Sequence, residues 1–220
     1  MEILLFAVLG LVVGVGILRA ADVLPPRDPV WRIPYRAPLL IIATAALFAF
    51  LVMRYGWTIQ LALAAIYTAI FLLVLVVDYE HRLILNIVIL PAILFAALAS
   101  PLARPGLALS LLGGALAFIV VFAIYIAAPI YSRWRGHTLA VPFGFGDVKL
   151  ALFVGIVTGF PTAIFALFLA IFLGGIAAIL VLMYQYARTR RIDIGAPIAY
   201  GPYFCIAGWV FMVFGLWWMG

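Results

Sequence analysis

Two aspartates in this chain sit where a carboxylate is expensive to keep. Asp147 lies within Gly144-Phe145-Gly146-Asp147-Val148-Lys149, at the mouth of the apolar run 150–159. Asp78 ends another apolar run, 57–77. Only seven of the 220 residues are acidic, so two such placements call for a reason. Ionisable groups in or beside membrane segments are costly and mark functional sites by default. Two carboxylates brought together do not both ionise easily, and the pair holds a shared proton. The ionised member can activate a water while the protonated one donates to a carbonyl oxygen. The glycines fit this chemistry. Gly144 and Gly146 admit torsions that other residues avoid and let a second backbone come close. A peptide unwound near a membrane also needs partners for its freed amides, and a glycine loop can supply them.

Each residue also has a plainer reading. Asp147 can serve as the N-cap of the helix that follows. Asp78 can be a solvated helix-end acid paired with Arg82 at i+4. Glu80 reads as an acid at headgroup level rather than a third catalytic group. Lys149, the only lysine, either snorkels to the headgroups or holds a carboxylate or substrate group. Asp22 and Asp28 read as members of a solvated loop. Asp78, Glu80 and His81 make a poor metal site, because helical spacing separates their faces. The second histidine, His137, is remote in sequence, and the single Cys205 excludes a Cys-x-x-Cys site. No metal and no cofactor are expected.

The elements that must position these acids are helices in a membrane. The chain is 70% hydrophobic and 9% charged, with a mean hydropathy of +1.35, which marks a polytopic membrane protein. Eight apolar segments can be read, at roughly 3–18, 38–53, 57–77, 84–99, 107–130, 147–160, 162–186 and 198–218. They lack period-2 alternation, so an all-α bundle of about eight transmembrane helices is expected rather than a barrel. The sixth is the shortest and spans only if it starts near Asp147. The organisation reads as one membrane-embedded domain over 1–220. Residues 19–37 form a short proline-rich cytoplasmic loop with Pro25, Pro26, Pro29 and Pro34, and 131–143 form a second loop. No internal repeat is found, which argues against an inverted-repeat transporter. Gly10 with Gly14, and Gly155 with Gly159, have the spacing of close helix packing.

The basic residues set the expected orientation. In an eight-helix arrangement Arg19, Arg27, Arg32, Arg36, Arg82, Arg133, Arg135, Lys149, Arg188, Arg190 and Arg191 fall on one side, and Arg54 and Arg104 on the other. This asymmetry places both acids at the cytoplasmic edge and both termini outside. It also accounts for the net charge of +6 without nucleic-acid binding. The first segment carries Glu2 and no leading positive charge, so it reads as a retained helix rather than a cleaved signal.

These motifs are similar to those of the type IV prepilin peptidases, membrane aspartic proteases of the Gly-x-Gly-Asp type. Gly144-Phe145-Gly146-Asp147-Val148-Lys149-Leu150 resembles the family's second catalytic-aspartate motif. Asp78-Tyr79-Glu80-His81-Arg82-Leu83-Ile84-Leu85-Asn86, followed by Pro91, resembles the first, with Leu85 where the family usually has Pro. Ala196-Pro197-Ile198-Ala199-Tyr200-Gly201-Pro202-Tyr203-Phe204 is similar to the family's entry to its last helix, and 14–25 bears a weaker likeness to its N-terminal helix exit. The resemblance implies an aspartic endopeptidase at the cytoplasmic edge of the cell membrane. It would cut prepilins or pseudopilins between a basic leader and a hydrophobic helix. It implies catalytic roles for Asp78 and Asp147, with Gly144, Gly146, Lys149, Glu80 and Asn86 binding substrate or shaping the site. Many bacterial members carry a cysteine-paired cytoplasmic insert, associated with zinc and with N-methylation of the new N-terminus. Here 19–37 occupies that place without a cysteine, so methyl transfer is not expected. The rival readings are a proton-coupled small-molecule transporter and a catalytically inactive pilus or secretion assembly protein.

Overall fold

A computed structural model describes residues 1–135, 144–189 and 199–215. The described residues form eight α-helices and no strand: α1 Glu2–Val23, α2 Arg36–Tyr55, α3 Ile59–His81, α4 Asn86–Ala99, α5 Gly106–Arg135, α6 Phe145–Thr158, α7 Thr162–Thr189 and α8 Gly201–Phe214. Each apolar segment read from the sequence holds a helix among the described residues. Five of them, α1, α2, α3, α5 and α7, are long and apolar enough to cross a membrane.

The other three are shorter than the eight-span expectation requires. Helices α4, α6 and α8 have 14 residues each. At 1.5 Å per residue that is about 21 Å, against a hydrocarbon core of about 30 Å. For α6 its position explains the difference. Helix α6 packs against α4, α5, α7 and α8, and Val148, Leu150, Ala151, Phe153 and Val154 are fully buried. A helix surrounded by protein need not match the thickness of the lipid.

Two expected loops are shorter than the sequence suggested. Residues 19–23 continue α1 and Arg36 opens α2, so the extended connection is 24–35. Residues 131–135 continue α5. Polar side chains at a helix end break the apolar run without breaking the helix. Residues 136–143, with His137, lie outside the described residues, as do Arg190, Arg191 and the Ala196-Pro197-Ile198 part of the C-terminal motif.

Small residues set the closest helix contacts. A Cβ on Gly10 would meet the α2 backbone at Ala45, 2.7 Å away, and one on Gly14 would meet Ile41 Cα at 2.9 Å. Gly155 backs onto Gly113 of α5 in the same manner. Gly159 packs closely as well, since a Cβ there would lie 2.6 Å from Pro105, and it is also the C-cap of α6, with φ 67°. Side-chain hydrogen bonds tie α8 in place. Trp209 Nε1 donates to Thr68 Oγ1 on α3 at 3.0 Å, and the Tyr55 hydroxyl donates to the Met212 carbonyl at 3.2 Å.

Candidate active site

Helices α3, α6 and α8 meet on two levels, seven residues or two turns apart. At the deeper level Gly208 of α8 faces the Phe71 ring of α3 and Val154 of α6, where an added Cβ would lie 2.9 and 3.0 Å from their side chains. Phe71 also packs on Phe153 with ring centroids 5.2 Å apart. Seven positions along each helix from that level stand Gly201, Asp78 and Asp147. The absence of a side chain at Gly208 brings the three helices close enough for the upper level to form.

Asp78 lies on the last turn of α3 and is 5% exposed. The helix then stops at Arg82, whose φ of 54° is left-handed and whose N–H donates to the Asp78 carbonyl at 2.8 Å. The Asp78 carboxylate turns toward α8, where Oδ2 accepts the N–H of Gly201 at 3.0 Å. Arg82 and Asp78 form no ion pair within 4 Å among the described residues, so the i+4 pairing is not what holds this acid.

Asp147 is not an N-cap. Gly144 is the N-cap of α6, and Asp147 stands three residues in, 9% exposed. Its Oδ2 accepts the Gly144 N–H at 2.8 Å, while its own N–H donates to the Gly144 carbonyl at 3.0 Å. An acid in the first turn also suits the positive end of the helix dipole. Gly146 lets this turn press on Ile84, whose Cβ would be 3.0 Å from a Cβ placed there.

The two carboxylates thus arrive from opposite helix ends, each held by one main-chain N–H, and lie within electrostatic reach of each other. Tyr200, just before α8, packs its ring against Gly174 of α7 and lies 6.5 Å, centroid to centroid, from the Tyr203 ring. Two nearly buried carboxylates with main-chain support have the layout needed to share a proton and act on a water.

The remaining sequence-derived residues divide into two groups. Lys149 Nζ donates to Asn86 Oδ1 at 2.6 Å and sits over the Phe145 ring, 4.8 Å from its centroid. This joins the first turns of α4 and α6 beside the aspartates. Leu85 is the N-cap of α4 with φ −71° and ψ 123°, torsions that proline also adopts. Glu80, by contrast, is enclosed by protein rather than exposed. It is fully buried and bonded to Arg36, with Oε1 accepting the Ile33 N–H at 3.2 Å. Arg36 in turn bonds Asp22, which is helical rather than part of a loop. No group of three potential metal ligands occurs among the described residues. Gly201 and the Arg36–Glu80 pair were not singled out from the sequence. Gly201 was visible only as part of the C-terminal motif, and Arg36 only as a loop charge.

A family model described as "Type IV leader peptidase family" matches residues 65–179, slightly more than half of the chain and inclusive of both aspartates. The chain belongs to the type IV leader peptidase family. Gly201 lies beyond the matched residues. Among similar proteins, the prepilin leader peptidase/N-methyltransferase of Pseudomonas aeruginosa is 25% identical over 181 residues, 82% of this chain and 59% of that protein. The Bacillus subtilis protein of the same name is 30% identical over 174 residues, 77% of this chain and 65% of its own length. That of Dichelobacter nodosus is 26% identical over 178 residues, covering 80% and 57%. The chain therefore spans about three fifths of the length of these relatives. No solved structure matches it.

Proposed function

We propose that this leader peptidase family member is an aspartic endopeptidase that removes leader peptides from type IV prepilins or pseudopilins. The observation that carries the reading is the convergence of Asp78 and Asp147, each nearly buried and each accepting a main-chain N–H. In this mechanism the ionised member takes a proton from water as it attacks the scissile carbonyl. The protonated member donates to the carbonyl oxygen, giving a tetrahedral diol. Collapse of the diol returns a proton to the leaving amine and breaks the C–N bond. Gly144 and Gly201 orient the two carboxylates. Lys149, held by Asn86, borders the entrance and is a substrate-positioning residue in this scheme. Glu80 shapes the site indirectly, by fixing the connection 24–35 against the end of α3. The whole chain acts as a single peptidase domain.

The proposed setting is the cell membrane, crossed by all eight helices, with the short α6 enclosed by its neighbours. The catalytic edge then faces the cytoplasm, as the skew of basic residues favours. The relatives' names also include N-methyltransferase. The α1–α2 connection here, 24–35, contains no cysteine, and the proposal is confined to proteolysis.

Purified protein in detergent, incubated with a panel of prepilins, tests this reading. Cleavage between leader and hydrophobic helix supports it. Complete absence of cleavage across the panel favours the transporter or inactive-assembly alternatives.

A further inference from the structure

The stripe of α3 that carries Asp78 continues away from the helix end as Leu75 and Phe71, three and seven positions earlier, the spacing that keeps side chains on one face. On α8, Cys205 and Trp209 follow Gly201 by four and eight positions. An apolar cavity of about 130 Å3 runs between these two stripes, with Leu72 of α3 and Leu47 of α2 completing its lining. It begins at Leu75 and Cys205, about one turn, or ~5 Å, from the carboxylate and the N–H that holds it.

The far end of the cavity is blind. The Phe50 ring of α2 lies 6.1 Å from that of Trp209 and 5.9 Å from that of Phe214, centroid to centroid. Trp209 is itself pinned to Thr68 on α3. Ile206 of α8, 42% exposed, marks the open side. The volume is close to the ~150 Å3 of a dry apolar cavity that takes one benzene. It therefore suits one large apolar side chain. A lipid acyl chain gains little from a blind space of this length, and nothing from its starting beside an acid.

We infer that this cavity receives an apolar side chain of the substrate just beyond the scissile bond, so that the hydrophobic segment docks on the α2–α3–α8 side of the protein. The inference rests on the leader-peptidase reading and adds to it a side of approach. An extended peptide advances about 3.3 Å per residue, so the occupant belongs to the first few residues after the cut. Cys205, Leu75 and Leu47 are then specificity-determining contacts, and the closed end limits how large a side chain fits.

Photo-crosslinking and kinetics test this. Benzoylphenylalanine replaces Ile206, or Phe168 on the exposed face of α7 as a control, in an Asp147→Asn background that leaves the substrate intact. The proteins, reconstituted in phosphatidylglycerol vesicles, are irradiated with a purified prepilin. Position 206 should give prepilin adducts about tenfold more than position 168, mapping to the first residues after the leader. In the otherwise wild-type enzyme, Leu47→Trp fills the cavity from α2, away from both aspartates. It should raise the KM for the prepilin about tenfold with kcat little changed, the pattern of lost ground-state binding. Phe168→Trp should alter neither. Adducts to lipid alone, equal adducts at both positions, adducts in the leader, or an unchanged KM in Leu47→Trp would each overturn the inference. Failure of the two readings is distinguishable. Wild-type cleavage without adducts at position 206 removes the docking side and keeps the peptidase. Mapped adducts at position 206 without any wild-type cleavage keep the docking side and remove the peptidase.

Discussion

The N–H of Gly201 donates to the carboxylate of Asp78 at 3.0 Å, across 123 positions of sequence. One main-chain group at the start of α8 thereby fixes the orientation of an acid at the end of α3. Glycine is required there for a steric reason as well. A Cβ on residue 201 would overlap the Asp78 carboxylate.

Gly201→Ala should therefore abolish or nearly abolish cleavage while helix content is retained. The added methyl displaces the carboxylate by the ångström-scale error that costs about a hundredfold in rate. Initial rates on a prepilin substrate, with circular dichroism as the folding control, check it. An alanine variant with wild-type rates would show that Asp78 need not be held at this position.

The buried ion pair makes a separable prediction about stability. Glu80→Ala leaves Arg36, which is only 11% exposed, without its buried partner and removes the acceptor of the Ile33 N–H. Breaking such a pair costs about 3 kcal/mol or more. Asp22→Asn alters a half-exposed partner of the same arginine, and the expected loss is below about 1 kcal/mol. Unfolding midpoints in matched detergent should fall much further for the first variant than for the second.

Lys149 and Asn86 should behave as one unit. Each of Lys149→Ala and Asn86→Ala removes the same 2.6 Å bond between α4 and α6. A double-mutant cycle on cleavage rate is expected to show non-additivity, with the double variant little worse than the poorer single one. Strict additivity would mean that the two side chains act independently.

The orientation can be read by thiol labelling in a Cys205→Ala background. Val30→Cys lies in the connection beside the end of α3, and Trp57→Cys lies at the opposite end of that helix, just before its N-cap at Thr58. Both wild-type residues are exposed. A membrane-impermeant reagent should label residue 57 in intact cells, and residue 30 only after the cytoplasmic side is opened. The reverse pattern would place the aspartates on the outer face.

Much of this arrangement was legible in the sequence, for identifiable reasons. Apolar runs located every helix, since a lipid-facing helix needs little else. The spacing of Gly144, Gly146 and Asp147 marked one acid, and its position after residue 77 marked the other. The burial of Glu80 could not be read in advance. Its partner Arg36 lies 44 positions away, at a helix start that the preceding prolines made look like a loop. The Gly201 N–H was equally hidden, because a main-chain donor has no residue type of its own. The short length of α6 goes with its burial by neighbours, which hydropathy does not encode.

The most direct test of the central claim is cleavage by Asp78→Asn and Asp147→Asn. Asparagine keeps the size of each side chain and an oxygen that can accept from Gly201 or Gly144, so both variants should fold. It cannot take or give the proton. Each substitution is expected to lower turnover at least a hundredfold, with no recovery at raised substrate concentration. Near-wild-type turnover by either variant would contradict the assignment of the pair.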